Sequence, residues 1–272
     1  MRGPLAAVAG MVIAGCGGPE IPRPACPDRV NALFNIIGED DNPYITGRYD
    51  DWPSYGIWLE SEDGCTTYST SNDDVAPDLC NGACSDDERC FARRCEPKPE
   101  ALDVGVVRFT GFDRDVALSA GEALSYYSEY IPHQPGAEIT VTGGGQSTGV
   151  EEFSIGVLAV PPLSVGWAEL VATADGDLHI TWDPADSPPG SRIEFYALSN
   201  GIIADSLECW SKDTGEMTVP AEQLDHVLSP ESGAGVTTAI LRRISAGTVE
   251  TEHGCGALQT MWTMDVDLRR GD

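Results

Sequence analysis

From residue 104 onward, apolar and polar positions alternate in short runs, and a period of two predicts strands. The runs are 104–110, 115–119, 124–127, 138–142 and 153–160, separated by Gly, Pro and Asp. A second set starts near Glu169 and takes in 177–182, 192–198, 206–210, 237–244 and 261–268. In the last run Trp262, Met264, Val266 and Leu268 share one face. Residues 220–228 (PAEQLDHVL) have helical character, with Pro220 suited to the first turn. Runs this short, punctuated at intervals of about ten residues, predict an all-β fold. The expected architecture is two small β-sandwich modules of Ig/fibronectin III-like type over 104–163 and 164–272, with Pro161 and Pro162 closing the first.

Upstream the pattern is different. Residues 26–79 read as a small acidic unit in which the stretch from Asn31 to Glu88 carries Arg48 as its only cation. Its clearest local signal is Asp63-Gly64, a favoured hairpin turn pair, between YGIWLES (55–61) and CTTYST (65–70). Residues 80–97 hold Cys80, Cys84, Cys90 and Cys95, a density that leaves no room for a core, so cross-links must define this segment. Pro97-Lys98-Pro99-Glu100 reads as a hinge.

The N-terminus carries Arg2 and then an apolar run over 4–14 that ends before Gly17-Gly18-Pro19. That run is shorter than the ~20 apolar residues a spanning helix needs. Its charge, apolar core and small Ala14 and Gly15 are those of a signal peptide over 1–15. Ile13-Ala14-Gly15-Cys16 resembles the lipobox of bacterial lipoproteins. The resemblance implies a diacylglyceryl group on Cys16 and a membrane partner through that lipid. Acyl chains contribute about 0.8 kcal/mol per buried CH₂, so the anchor would be effectively permanent. Residues 16–25 would then be a lipidated Cys and Gly/Pro tether, reaching roughly 25 Å at about 3 Å per residue. Gly17 stands where an Asp holds many lipoproteins at the inner membrane, so the resemblance implies the outer membrane, facing periplasm or exterior.

Charge and cysteine count narrow the classes. With 44 acidic against 16 basic residues the net charge is −28, which excludes nucleic acid as a partner. Of nine cysteines, eight remain after Cys16, and an even number in an exported chain reads as disulfides. Locality pairs Cys26 with Cys65, Cys80 with Cys90, Cys84 with Cys95, and Cys209 with Cys255, with Trp182 packing near the last. A zinc site at the four clustered thiols is the competing reading, disfavoured by an oxidising compartment and the lack of a Cys-x-x-Cys step. The succession DLHITWDP (177–184), Gly190-Ser191-Arg192-Ile193, Glu208-Cys209 and MTVPAEQL (217–224) resembles a β-sandwich module of uncharacterised myxobacterial-type lipoproteins. Residues 104–162 are similar to the segment that precedes it there, and the 80–95 cluster to their Cys-rich inserts. This resemblance implies a fold and a surface location, and no catalytic residue.

Candidate chemistry is sparse. Gly145-Gln146-Ser147-Thr148-Gly149 fits a G-x-S-x-G nucleophile pattern, but the mechanism needs a sharp strand-to-helix turn, and 150–157 reads on as strand. The three glycines at 143–145 fit a flexible loop better. Asp213-Thr214-Gly215 imitates an aspartic-protease triplet without a second copy and reads as a turn. His133, His179, His226 and His253 have no metal-ligand spacing, and neither Asp113/Asp115 nor Asp175/Asp177 forms an EF-hand loop. Trp52, Tyr55, Trp58 and Tyr68 among carboxylates could stack on a sugar or basic peptide, or fill a tiny core. The expectation is therefore a lipid-anchored envelope protein with a non-catalytic binding or structural role, no cofactor and no metal, and an envelope protein or glycan as partner. The alternatives are a carbohydrate- or peptide-binding lipoprotein using the aromatic hairpin, and a serine hydrolase at Ser147.

Overall fold

A computed structural model of the chain describes residues 29–30, 32–38, 43–50, 55–56, 63–70, 84–85, 87–91, 94–98, 100–121, 124–128, 131–145, 148–163, 169–172, 176–184, 186–199, 204–228, 237–251 and 254–270. The strands of the N-terminal half are β1 (Arg29–Val30), β2 (Ala32–Gly38), β3 (Tyr44–Tyr49), β4 (Tyr55–Gly56), β5 (Gly64–Thr70), β6 (Glu88–Phe91), β7 (Arg94–Pro97), β8 (Val107–Thr110), β9 (Val116–Leu118) and β10 (Ser125–Ser128). Then come β11 (Glu138–Gly145), β12 (Val150–Leu158), β13 (Glu169–Ala172), β14 (Leu178–Thr181), β15 (Arg192–Leu198), β16 (Ala204–Lys212) and β17 (Glu216–Val219). Helix α1 (Ala221–Leu228) and the long strands β18 (Thr237–Thr251) and β19 (Gly254–Arg270) complete the order. The all-β expectation holds.

The hairpin β18–β19 carries both halves. Its register runs unbroken from Thr237↔Leu268 to Thr251↔Gly254. Near the turn end, β19 pairs in parallel with β2, which continues antiparallel to β3 and β10. Near the open end, β18 pairs with β15, followed by β16 and β5, while β13 lies parallel along the end of β19. These strands make one nine-stranded sheet.

Two cores lie against this sheet. In the first, β2 and β3 alternate buried and half-buried residues, and their inward Phe34, Ile36, Ile45 and Tyr49 face Phe109, Val141, Phe153 and Ile155 of the four-stranded sheet β12-β11-β8-β9. Phe34 is the centre of an aromatic cluster, with ring centroids 6.0 Å from Phe109, 6.1 Å from Tyr126 and 5.8 Å from Phe153. Gly47 lets that ring lie on β3, since a Cβ there would sit 2.2 Å from Phe34. In the second core, Leu178, Ile180, Met217 and Val219 of the β14–β17 pair and Leu224, Val227 and Leu228 of α1 pack on Phe195, Ala197, Leu207, Leu241, Val266 and Leu268. Trp262 and Met264 pack against the same core, so the shared face read from the 261–268 run is present. The helix starts where Pro220 closes the first turn, and the Asp177 carboxylate accepts the Ala221 N–H at 3.0 Å.

The cores meet where β12 crosses the hairpin. A Cβ on Gly247 would lie 1.9 Å from the Gly156 carbonyl oxygen, so backbone rests on backbone there. The Thr260 hydroxyl donates to the Leu158 carbonyl at 3.0 Å beside it.

Three sequence expectations need correction. Cys65 pairs with Cys209, not Cys26, because β5 adds to the edge of β16 and brings these two residues into register, with Cα atoms 4.0 Å apart. Cys209 therefore does not pair with Cys255, which is disulfide-bonded near the hairpin turn, in a cluster with Val30 and Ala257. Cys84 does join Cys95. Glycines 143–145 are not a loop but the end of β11, with an irregularity in register between Gly143 and Gly145. Gly144 has φ 80°, and a Cβ there would meet the Glu151 carbonyl at 2.3 Å, so only glycine fits this bulge.

Candidate functional site

Cys16, Cys26, Trp52, Trp58, Cys80, Ser147, Asp175 and His253 lie outside the described residues, as do the side chains of Tyr55, Tyr68 and Cys90. Tyr55 takes part through its backbone in the short β1–β4 pair. Asp113 and Asp115 are exposed in the β8–β9 connection, and Asp177 serves α1. Among the described residues no group of three or more His, Cys, Asp or Glu could hold a metal ion, and no helix is long and apolar enough to cross a membrane. His179 and His226 are exposed, His179 contacting the Thr218 hydroxyl at 3.0 Å. His133 is half-buried against the Phe112 ring, and burial pulls its imidazole below the ordinary value.

The arrangement with the most chemistry lies elsewhere, at the end of β15 and β16. The period of two that sends Ile193, Phe195 and Ala197 into the second core sends Arg192, Glu194 and Tyr196 to the other face. Register sets Arg192 beside Lys212, Glu194 beside Trp210, and Tyr196 beside Glu208. Arg192 lies over the Trp210 ring at 5.8 Å and pairs with Asp63 at 2.9 Å. The Trp210 indole N–H donates to Glu208, and Arg242 donates to Glu194 at 2.8 Å. Burial raises the Glu194 carboxyl above the usual range; Arg242 opposes this and Glu208 adds to it. Burial lowers the Arg192 guanidinium, and Asp63 opposes that.

Pro184 and residues 186–191 lie beside this face. Ser187 N–H donates to the Pro184 carbonyl at 3.3 Å and Ser191 N–H to that of Pro188 at 3.1 Å, two successive turns helped by Gly190 at φ 85°. Between this loop and the strand ends is a hollow of about 320 Å³ lined by Pro184, Ser187, Pro188, Arg192, Lys212 and Asp213, among others. On the other side of Pro188-Pro189 a second hollow, about 460 Å³, is bounded by Glu138, Leu158, Ser245 and Ala246. One is basic at its rim and the other acidic, and among the described residues neither is lined by a histidine.

Beneath the first hollow sits a buried ion pair. Arg243 and Asp213 are 1% and 3% exposed in their side chains and meet at 2.7 Å, with a second contact at 3.3 Å. The Trp182 indole donates to the same carboxylate at 2.6 Å. Arg243 also donates to the carbonyls of Pro162 at 3.0 Å and Asp183 at 2.6 Å. It thereby ties the residues that leave β12 to the second core. In the sequence Asp213 reads only as a turn residue, and Arg243 stands out for no role. The available signal was a cation at the core-facing position of an otherwise apolar run, 237–244.

No family model matches the chain, and no curated protein matches it. Among solved structures it is similar to a Ca²⁺-stabilized adhesin described as helping an Antarctic bacterium reach out and bind ice, at 9% identity and a TM-score of 0.20 over 89% of this chain. The match spans half of that adhesin chain, 50%.

Proposed function

We propose that this chain is a non-catalytic binding protein of the bacterial cell envelope, its two cores forming a pair of small sandwich modules of Ig/fibronectin III-like kind joined through the common hairpin. In this reading Cys16 carries the lipid, residues 16–25 hold the acidic body off the outer membrane, and the β15–β16 end of the molecule meets the ligand. The likeness of its motifs to myxobacterial-type lipoproteins belongs to the same proposal. The observation that carries it is the hollow beside Pro188-Pro189, where Arg192, Lys212 and two serines gather on rigid strand ends and turns. Convergent polar groups at the mouth of a concave site of 300 Å³ or more are the usual mark of a ligand site. The arrangement offers recognition rather than turnover, since Asp213 is engaged by Arg243 and Trp182.

A second reading uses Trp52, Tyr55 and Trp58 as the sugar- or peptide-stacking surface, motivated by aromatics set among carboxylates. Binding of the purified full chain to glycan and peptide arrays tests both. Saturable binding weakened by substitutions at the hollow favours the first, and binding weakened only by Trp52→Ala and Trp58→Ala favours the second. Failure to retain any array ligand refutes both. Metabolic labelling with a radiolabelled fatty acid, lost in Cys16→Ser, tests the anchor; an unlabelled native chain refutes it.

A further inference from the structure

We infer that the hollow between residues 184–191 and the ends of β15 and β16 binds a single oxyanion group, a sulfate, phosphate or carboxylate, and this rests on the binding reading above. Three donors lead to it. Ser191 is 5% exposed, and the Ser191 hydroxyl, the Ser187 hydroxyl and the Arg192 Nε are buried atoms with no hydrogen-bond partner among the described residues. All three residues line the hollow. Buried donors are nearly always satisfied in folded proteins, so three unsatisfied ones on residues that line one cavity need an explanation. An acceptor with several oxygens supplies it.

The charges agree. Lys212 adds an exposed ammonium at the rim, the register neighbour of Arg192. Arg192 is only 13% exposed, and the carboxylate paired with it among the described residues, Asp63, is 51% exposed and sits at the other end of the guanidinium, on Nη2. Nε has no hydrogen-bond partner among the described residues, and an oxyanion drawn onto that edge would complete the fork geometry that suits sulfate, phosphate and carboxylate. The acidic residue in the lining, Asp213, is already neutralised by the Arg243 fork and the Trp182 indole. Pro188 and Pro189 between the two serines make that part of the lining apolar and rigid.

The rest of the molecule limits what the anion can be attached to. At −28 the chain repels any polyanion, and screening within about 8 Å at physiological salt protects only a local contact. A single acidic group therefore fits, either a free small anion or one acidic substituent on an otherwise neutral sugar.

The test titrates the purified full chain with sodium sulfate, sodium phosphate and sodium glucuronate at constant ionic strength. It is read by calorimetry and by fluorescence of Trp210, which lies under Arg192. Saturation by at least one of the three beyond a sodium chloride control is expected. Glucuronate binding more tightly than sulfate identifies an acidic sugar as the source, and the reverse identifies a free anion. Ser191→Ala and Lys212→Ala should each weaken binding about tenfold, the size of one charge-assisted hydrogen bond. Ser191→Ala should also leave the melting temperature unchanged or raise it, because the hydroxyl has no protein partner to lose. No saturation by any of the three overturns the inference, as does saturation that neither variant weakens. An array ligand still held by both variants overturns this inference and leaves the broader binding reading intact; no array ligand at all removes both.

Discussion

Replacing Arg243 with Met keeps most of the side-chain volume and removes the charge that answers Asp213. At 2.7 Å and an effective dielectric of about 20 the gross attraction in this pair is about 6 kcal/mol. Desolvation of two side chains exposed by 1% and 3% offsets much of that. Removing one partner, however, leaves the other buried and uncompensated, which costs about 3–5 kcal/mol. Arg243→Met also strands the Pro162 and Asp183 carbonyls it serves. Asp213→Asn is gentler: it keeps an acceptor for the Trp182 indole and leaves Arg243 its carbonyls, so about 1–3 kcal/mol is expected. The double variant should lose less than the two singles together by at least about 1 kcal/mol, because the second change removes a charge already orphaned. Urea unfolding at neutral pH with a common slope measures all three. An Arg243→Met loss under about 1 kcal/mol, or strict additivity, would refute the claim that this pair locks the two cores together.

Three further outcomes follow from the packing. Removing the disulfide that joins Cys65 to Cys209 across 144 residues, by substituting both with Ala, should cost about 2–5 kcal/mol in chemical unfolding without reductant, and the small effect of an idle bond would contradict the pairing. Gly247→Ala must push β12 off the hairpin, because its methyl would lie 1.9 Å from a backbone carbonyl; a loss of at least about 1–3 kcal/mol in the same assay is expected, and a neutral result would contradict the crossing. His133 is held below its ordinary value by burial, so from about pH 6.5 downward the unfolded chain takes up a proton that the folded chain refuses. Stability lost by this route grows as pH falls, and the gap between wild type and His133→Phe should move in favour of the variant from pH 7.5 to 5.5; a constant gap would contradict it.

The second core was largely legible in the sequence because its strands are amphipathic on their own. Leu178, Ile180, Met217, Val219, Val266 and Leu268 announce a buried face by simple alternation, and Pro220 announces the helix. The first core was only half legible. Its strand β2, ALFNIIG, joins β19 in a parallel pairing more than 200 residues away in sequence, and no local pattern encodes such a partner. The full lengths of β18 and β19 are not legible for a related reason. Beyond Ile244 and before Met261 the hairpin runs through Ser245, Ala246, Gly247 and Gly256, small or polar residues that look like turn and are needed where β12 crosses. Nearness in sequence pairs Cys84 with Cys95 correctly but is the wrong guide for Cys65 and Cys209, which meet because a distant edge strand docks. At the site, Arg192 and Lys212 are ordinary strand-end cations by sequence. Only the register that sets them side by side, beneath a Ser-Pro-Pro-Gly turn, makes them a pair.

In the proposed reading this molecule holds a ligand and does not transform it. The direct measurement is to incubate the purified full chain with whatever its array retains, then recover the ligand and determine its mass. Unchanged ligand, bound at one equivalent through the basic hollow, is the predicted result. Ligand returned cleaved or otherwise altered, and chain variants at Ser147 that abolish the alteration, would contradict it.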